Sequence, residues 1–118
     1  MGNLQNIYQK IDFGLLTGQG VSIAIIDSGV DPLHPKGGTI HSNTSLSISV
    51  DGSPTIQSDS IDPAGHGTAC AWIIRQIAPE AILYSLRIFG ETLQGECRTI
   101  VSAICWAIAQ DVDLINLS

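Results

Sequence analysis

Two ionisable side chains stand in sequence surroundings that favour contact with a partner group. Asp27 follows an apolar, β-branched run and precedes Ser28-Gly29, so its carboxylate is predicted at the end of a buried strand. A carboxylate there is costly unless it is hydrogen-bonded or paired. His66 lies between two glycines at the start of an Ala-rich apolar segment. Together, a carboxylate and an imidazole can form a general base, in which the carboxylate orients the ring and the ring accepts a proton.

Each of these residues also has an ordinary structural explanation. An aspartate at a strand end often caps a turn, and a histidine at a helix start often makes only local hydrogen bonds. Cys70 follows His66 by four residues, which is about one helical turn, so a Cys–His nucleophile pair is an alternative chemistry. The other interpretation of Cys70 is a buried thiol that takes no part in a reaction. Residue type alone leaves these alternatives open.

The elements that must position these side chains alternate between strands and helices. Strands are predicted at residues 21–26, 46–50, 82–88 and 114–117, and helices at residues 4–13, 67–77 and 98–110. The helix at 67–77 is apolar nearly all round, which is typical of a buried helix. This alternation indicates βαβ units, so the predicted fold is α/β, with three layers: a parallel β-sheet with helices on both faces. In such sheets functional residues gather at the C-terminal ends of strands, where Asp27 is predicted.

Composition excludes several classes of function. With 44% hydrophobic and 14% charged residues, the 118-residue chain is a folded single domain rather than a disordered segment. Its net charge of −6 leaves no basic surface for nucleic acid or for an anionic membrane. Three irregularly spaced cysteines predict free thiols in a reducing compartment. The first residues lack the features of a signal peptide, so a cytoplasmic location is expected, and no cofactor is expected.

The sequence surroundings of Asp27 and His66, taken together, are far more specific than either one alone. The run Ile23–Val30 resembles the Asp box of the subtilisin-like serine proteases, and Gly65–Ala71 resembles their His box. Further landmarks follow in the order typical of that family: His34-Pro35, Ala78-Pro79, Trp106–Ala109 and Ile115–Ser118. The resemblance implies that residues 1–118 are a truncated peptidase domain, namely the N-terminal half of a subtilisin-like catalytic domain.

The resemblance also implies roles for particular residues. Asp27 would orient His66, and His66 would act as general base toward a serine hydroxyl in a triad of Asp, His and Ser. Neither the Gly-Thr-Ser nucleophile box nor the oxyanion-hole Asn of the family is found in these residues, so the chain alone is expected to be inactive. The substrate would be a peptide or a protein. Implied substrate contacts, for which an ordinary surface loop is the alternative, are Phe89, Leu93, Gln94, Gly95 and Cys97.

The sequence departs from the family pattern at positions that bear on metal binding and on partner chains. Lys36 stands where many members have a calcium-ligating Asp, and the helix at 67–77 runs to Ala78-Pro79 without a calcium loop, so no metal is expected. The strand at 114–117 is interior in the family, and here it would form an open apolar edge. The chain is therefore expected to be a homo-oligomer or to pair with a complementing chain that carries the serine.

Three hypotheses about function remain at this point. The first is a split or truncated subtilisin-like endopeptidase, whose serine lies on another polypeptide or in a segment that these residues do not include. The second is a non-catalytic binding module, or pseudoprotease, which could dimerise through the open edge. The third is a decayed gene product with no selected activity.

Overall fold

A computed structural model describes residues 13–118 of the chain. A short 3-10 helix, Phe13–Leu15, precedes seven regular elements. These are β1 (Ser22–Asp27), β2 (Ser42–Ile48), β3 (Pro54–Ser58), α1 (His66–Ile77), β4 (Ile82–Arg87), α2 (Cys97–Ala109) and β5 (Leu114–Leu117). The helix predicted at residues 4–13 lies outside the described residues, apart from its last position. Neither α1 nor α2 combines the length and the apolar character that a bilayer crossing requires.

The strands form one sheet in the order β3-β2-β4-β1-β5. Strand β1 pairs in parallel with β4 on one side and with β5 on the other, and β4 pairs in parallel with β2. Among the strand pairs that the structure describes, only β2–β3 is antiparallel. The α/β architecture with a parallel sheet and helices on both faces is thus confirmed. The parallel strands β4, β1 and β5 end at the same edge, which brings Asp27 level with Arg87.

The β2–β3 hairpin differs from the sequence prediction. Strand β2 ends at Ile48, and Val50, predicted within a strand, is fully exposed in the turn that follows. Strand β3 was not predicted, because its residues are mainly polar and show little apolar alternation. The dipeptide Asp51-Gly52 was the available signal, since Asp-Gly favours the tight turn of a hairpin. Gly52 takes a positive φ of 85°, and its amide donates to the carbonyl of Ser49 at 2.8 Å.

The hydrophobic core lies in two layers because successive side chains of a strand point to opposite faces. Ile23 and Ile25 of β1 pack with Leu83 in a cluster that includes Ala71 of α1. Ala24 and Ile26 face the other way and pack in a second cluster. Its other buried members are Leu46, Leu86, Ala103 and Ala107, the last two from α2. Strand β1 is therefore buried on both faces, and its residues from Ile23 onward are almost solvent-free.

Helix α1 is less buried than its composition predicted, so the prediction of a helix buried all round is wrong. Its sheet-facing side carries Gly67, Thr68 and Ala71, which are buried. On its outer side Ile73 and Ile77 remain 54% and 63% exposed, since no element within residues 13–118 covers them. The Lys36 ammonium lies 4.8 Å from the ring centre of Trp72, which shields part of this surface.

Strand β5 forms an edge of the sheet as the structure describes it. It pairs with β1 alone, and its outer hydrogen-bonding side has no partner strand within residues 13–118. Leu114, Ile115 and Leu117 stay 56%, 39% and 44% exposed. An exposed apolar edge strand is a surface on which another chain or segment can pair.

Candidate active site

Asp27 closes β1 and is fully buried. The amide of Ser28 donates to its Oδ1 at 2.6 Å, and the Ser118 hydroxyl donates to its Oδ2 at 3.0 Å. His66 Nδ1 lies 2.9 Å from both carboxylate oxygens. The Cys70 thiol also donates to Oδ2, at 3.8 Å. These hydrogen bonds surround a carboxylate that has no contact with water, and this is the condition under which a buried negative charge is tolerated.

His66 is the first residue of α1, and the backbone before it makes the approach to Asp27 possible. Gly65 adopts a left-handed conformation with φ 76°, which turns the chain into the helix. Gly67 packs directly on the backbone of Gly29, and a Cβ added to Gly67 would overlap the Gly29 carbonyl oxygen. The helix start can therefore lie against the end of β1 only because residue 67 has no side chain.

Among the described residues, the His66 ring has a partner for Nδ1 and none for Nε2. Nδ1 faces Asp27, and the side chain keeps 40% of its surface exposed. A proton on Nδ1 would be donated to the carboxylate, which leaves the lone pair of Nε2 free to accept a proton from a third group. The structure thus brings together the two residues that the sequence predicted as an acid–base pair.

Cys70 is the third ionisable side chain of this site. Its Sγ lies 3.8 Å from His66 Nδ1 and 3.8 Å from Asp27 Oδ2. Burial raises the pKa of the Cys70 thiol; the Ser118 hydroxyl opposes this by hydrogen bonding, and the charges of Asp27 and Asp62 raise it further. The thiol therefore stays protonated at neutral pH and faces the nitrogen that Asp27 already occupies, which disfavours the Cys–His nucleophile hypothesis.

Asp27, His66 and Cys70 also form a set of possible metal ligands. One carboxylate oxygen, one ring nitrogen and one sulfur lie within 4.8 Å of one another. Such a mixed set suits a thiophilic divalent ion such as zinc, and it could bind one only after the thiol and Nδ1 lose their protons. The sequence predicted no metal here, and that prediction is untested.

Two site residues were missed by the sequence argument. Ser118 lies at the end of β5, and its contact with Asp27 follows from the parallel pairing of β5 with β1, which aligns the C-terminal ends of both strands. The two oxygens of Asp62, which lies in the loop before α1, accept four hydrogen bonds. The signal for Asp62 was its place a few residues ahead of a helix start, where aspartate often satisfies free backbone amides.

The Asp62 carboxylate is held in its charged form. Partial burial raises its pKa, but hydrogen bonds from Ser28, Thr68 and Gly65 outweigh that effect and hold the pKa of Asp62 below its ordinary value of 3.8. A group with a depressed folded pKa stabilises the fold above its unfolded pKa, and this stabilisation is lost as pH falls through the folded pKa.

We therefore expect the free energy of unfolding to fall below about pH 4 more steeply in the wild-type chain than in Asp62→Asn. Urea unfolding at a series of pH values measures both slopes. Since the variant has no Asp62 proton to gain, it should be less stable at neutral pH and should approach the wild-type value in acid. Parallel curves would contradict the assignment of acid sensitivity to Asp62.

The residues implied as substrate contacts occupy the loop between β4 and α2. Gln94 and Gly95 line a surface cavity of about 500 Å³, together with residues of β2 and of the start of α2. Phe89 is buried, with its ring against Gly95, and it does not line this cavity. Leu93 has a positive φ of 53°, and Cys97 is exposed at the start of α2. The structure therefore gathers Gln94 and Gly95, and a substrate role for all five residues stays a prediction.

The chain belongs to the subtilase family, whose family model matches residues 18–118. It is 32% identical over 115 residues to Subtilisin E of Bacillus subtilis, an alignment that covers 86% of this chain and 27% of the relative. It is 32% identical over 111 residues to an intracellular serine protease of Paenibacillus polymyxa, covering 86% of this chain and 33% of that protein. The chain thus spans between a quarter and a third of these relatives.

Solved structures agree with the family assignment. The crystal structure of a lanthipeptide protease superposes with a TM-score of 0.66 at 30% identity, covering 97% of this chain and 31% of that one. A cold-adapted subtilisin-like serine proteinase gives a TM-score of 0.60 at 28% identity, with coverage of 82% and 34%. Residues 13–118 therefore form part of a subtilisin-like protease domain.

Proposed function

We propose that this chain supplies the orienting carboxylate and the general base of a subtilisin-like serine endopeptidase. The observation that carries the proposal is the contact between the fully buried Asp27 and His66 Nδ1, at 2.9 Å to both oxygens. Hydrogen bonding to a carboxylate fixes the ring orientation and the tautomer, and it stabilises the imidazolium that forms when Nε2 accepts a proton.

In the proposed reaction, His66 Nε2 takes the proton of a serine hydroxyl as that oxygen attacks the carbonyl carbon of a peptide bond. The protonated ring then gives the proton to the leaving amine. The serine and the oxyanion-hole donors come from a segment outside these 118 residues, either on the same polypeptide or on a complementing one. Without them the chain does not hydrolyse peptides, because both the nucleophile and the main electrostatic stabilisation of the transition state are absent.

The proposed substrate is a peptide or protein held in extended form beside the β4–α2 loop. Support comes from Gln94 and Gly95, which line the surface cavity next to β2. Leu93 is 40% exposed in the same loop and is available for contact, whereas Phe89 would act from beneath by supporting Gly95. The cysteine at the start of α2, Cys97, is exposed and completes the proposed contact set.

A complementation experiment tests the proposal. The probe is the part of Subtilisin E that follows the matched segment, produced as a separate chain and mixed with this one. A fluorophosphonate should label the added chain only in the mixture, and labelling should be lost with His66→Ala, because the serine then has no base.

Three outcomes would contradict the proposal. Labelling of this chain by itself would place a reactive serine within the 118 residues. Size-exclusion chromatography could show a stable complex of the two chains that is never labelled. That result would show that the two chains assemble without forming a catalytic site. Equal labelling with the wild-type chain and with His66→Ala would show that His66 is not the base.

The second candidate function is a non-catalytic binding module that pairs with a second copy of itself. The observation that favours it is the apolar edge strand β5, in which Ile115 and Leu117 remain 39% and 44% exposed. Pairing of two such edges would continue the sheet across a two-fold axis.

If this candidate is correct, light scattering should give a defined dimer that persists in His66→Ala. The double variant Ile115→Lys/Leu117→Lys should be monomeric, since charge on an edge strand opposes pairing. Val101→Lys is the matched control, because Val101 is 54% exposed on α2 and lines a cavity with Pro54 and Ile56 of β3, at the other end of the sheet. A monodisperse wild-type monomer would rule the dimer out.

A further inference from the structure

We propose that Asp62 is a positioning residue, whose carboxylate sets the spacing between the strand end that carries Asp27 and the helix start that carries His66. The catalytic part of this inference rests on the proposed function. The structural part, the hydrogen-bond network around Asp62, can be measured without catalysis. Asp62 itself touches neither member of the pair by hydrogen bonds, so it would act entirely through the backbone segments that present them.

On the strand side, Asp62 holds the residue next to Asp27. The Ser28 hydroxyl donates to Asp62 Oδ1 at 2.6 Å, and the Ser28 amide donates to Asp27 Oδ1 at 2.6 Å. Ser28 is fully buried, so its hydroxyl has no water as an alternative partner. Ser28 therefore links the carboxylates of Asp27 and Asp62 directly, through its amide and its hydroxyl.

On the helix side, Asp62 holds the first turn of α1. The amide of Gly65 donates to Oδ1 at 2.8 Å, and Thr68 donates to Oδ2 from its amide at 2.8 Å and from its hydroxyl at 2.5 Å. The N-cap of α1 is Gly65, which has no side chain to cap the helix, and no side-chain cap hydrogen bond is made there within residues 13–118. Asp62 thus replaces the missing cap, and its negative charge lies at the favourable end of the helix dipole.

Two further hydrogen bonds close the network between the strand end and the helix. The Ser28 hydroxyl oxygen accepts from the amide of Gly67 at 3.0 Å, and the Thr68 hydroxyl oxygen accepts from the amide of Asp31 at 3.0 Å. Both hydroxyls can accept these bonds because each gives its own proton to Asp62. If Asp62 is removed, the hydroxyl protons lose their acceptor and both cross-links lose their fixed orientation.

The loop that carries Asp62 is itself anchored on the sheet. Arg87 donates from Nε to Asp59 Oδ2 at 2.8 Å, and the amide of Ile61 donates to Asp59 Oδ1 at 3.0 Å. The carbonyl of Ile61 lies against Gly29, where an added Cβ would overlap it. Asp62 is therefore fixed relative to β1 by the loop before it, and the helix start is fixed relative to Asp62.

The hydrogen-bond network around Asp62 requires an ionised carboxylate, and a neutral side chain of the same shape is not sufficient. Four donors reach the two oxygens, and a carboxylate can accept all of them. An asparagine of the same shape has one acceptor oxygen, and its amide hydrogens would face two of the donors. Asp62→Asn should thus loosen one side of the network without creating a cavity.

The experiment is nitrogen-15 NMR of the 118-residue chain as wild type and as Asp62→Asn. In the wild type we expect a slowly exchanging His66 Nδ1 proton and protected Gly65 and Thr68 amides. In Asp62→Asn the amide exchange should rise roughly tenfold to hundredfold, and the Nδ1 proton signal should broaden or vanish through exchange with water. The matched control is Asp51→Asn, since Asp51 accepts from the amide and hydroxyl of Ser53 in the distant β2–β3 turn.

A second variant covers the case in which Asp62→Asn does not fold. Ser28→Ala removes one of the four donors and should weaken the Nδ1 proton signal while the amide spectrum stays dispersed. An unchanged Nδ1 signal in a folded Asp62→Asn or Ser28→Ala chain would overturn the positioning role. If the wild-type chain shows no His66 Nδ1 proton that depends on Asp27, that result counts against the proposed function instead. Failure of the positioning role and failure of the proposed function are therefore distinguishable.

Discussion

Replacement of Asp27 by Asn should lower kcat of the complemented enzyme about ten-thousand-fold, with a much smaller change in KM. The structure gives the reason. The Ser28 amide can only donate, so the amide oxygen of an asparagine would take the Oδ1 position, while the Ser118 hydroxyl beside the Oδ2 position can turn to accept. Its NH₂ group would then face His66 Nδ1, which would have to accept a hydrogen bond. The ring proton would move to Nε2, where it blocks the uptake of a proton from serine.

The control for this variant is Asp111→Asn, which changes an exposed carboxylate at the turn after α2. Asp111 has a φ of 57°, a conformation that asparagine also tolerates. Steady-state hydrolysis of a peptide substrate by the two mixtures separates kcat from KM. A loss in Asp27→Asn of less than tenfold would show that the carboxylate does not set the state of His66.

Replacement of Gly67 by Ala should destabilise the chain by about 3 kcal/mol. The added Cβ would overlap the carbonyl oxygen of Gly29, and both the helix start and the strand end are backbone that cannot move aside cheaply. Relief would need the first turn of α1 to lift from β1, which also lengthens the contact between Asp27 and His66. Loss of stability and loss of complemented activity are therefore expected together.

Gly90→Ala is the matched control, because a Cβ added there meets nothing within 4 Å. Urea unfolding should place this control within about 0.5 kcal/mol of the wild type. A Gly67→Ala chain of wild-type stability would contradict the close packing between α1 and the end of β1.

The parts of the fold that could be predicted were those with a strong periodic signal. Apolar runs located β1 and β4, because strands buried in a parallel sheet carry few polar residues. An apolar run also located β5, although β5 lies exposed at the edge of the described sheet. Asp27 and His66 were identified because Asp27 ends an apolar run just before Ser28-Gly29, and His66 stands between two glycines at the start of a helix. Their proximity followed from the family resemblance, and the geometry then gave the atoms and the distances.

Other features depend on tertiary contacts that local pattern does not encode. The exposure of Ile73 and Ile77 could not be predicted, since an apolar helix surface looks the same whether or not another element covers it. Strand β3 is held by pairing with β2, and its own sequence is weakly strand-like. Asp62 joins two boxes that are far apart in the chain, so its role emerges only when Ser28 and Thr68 are seen on the same carboxylate.

The most direct test of the Asp27–His66 arrangement is the tautomer of the His66 ring in the 118-residue chain. Long-range proton–nitrogen NMR at mildly alkaline pH distinguishes a protonated Nδ1 from a protonated Nε2. We expect the proton on Nδ1, shared with Asp27, and its transfer to Nε2 in Asp27→Asn. A wild-type ring protonated at Nε2, or a tautomer that does not respond to Asp27→Asn, would contradict the assignment of His66 as a base oriented by Asp27.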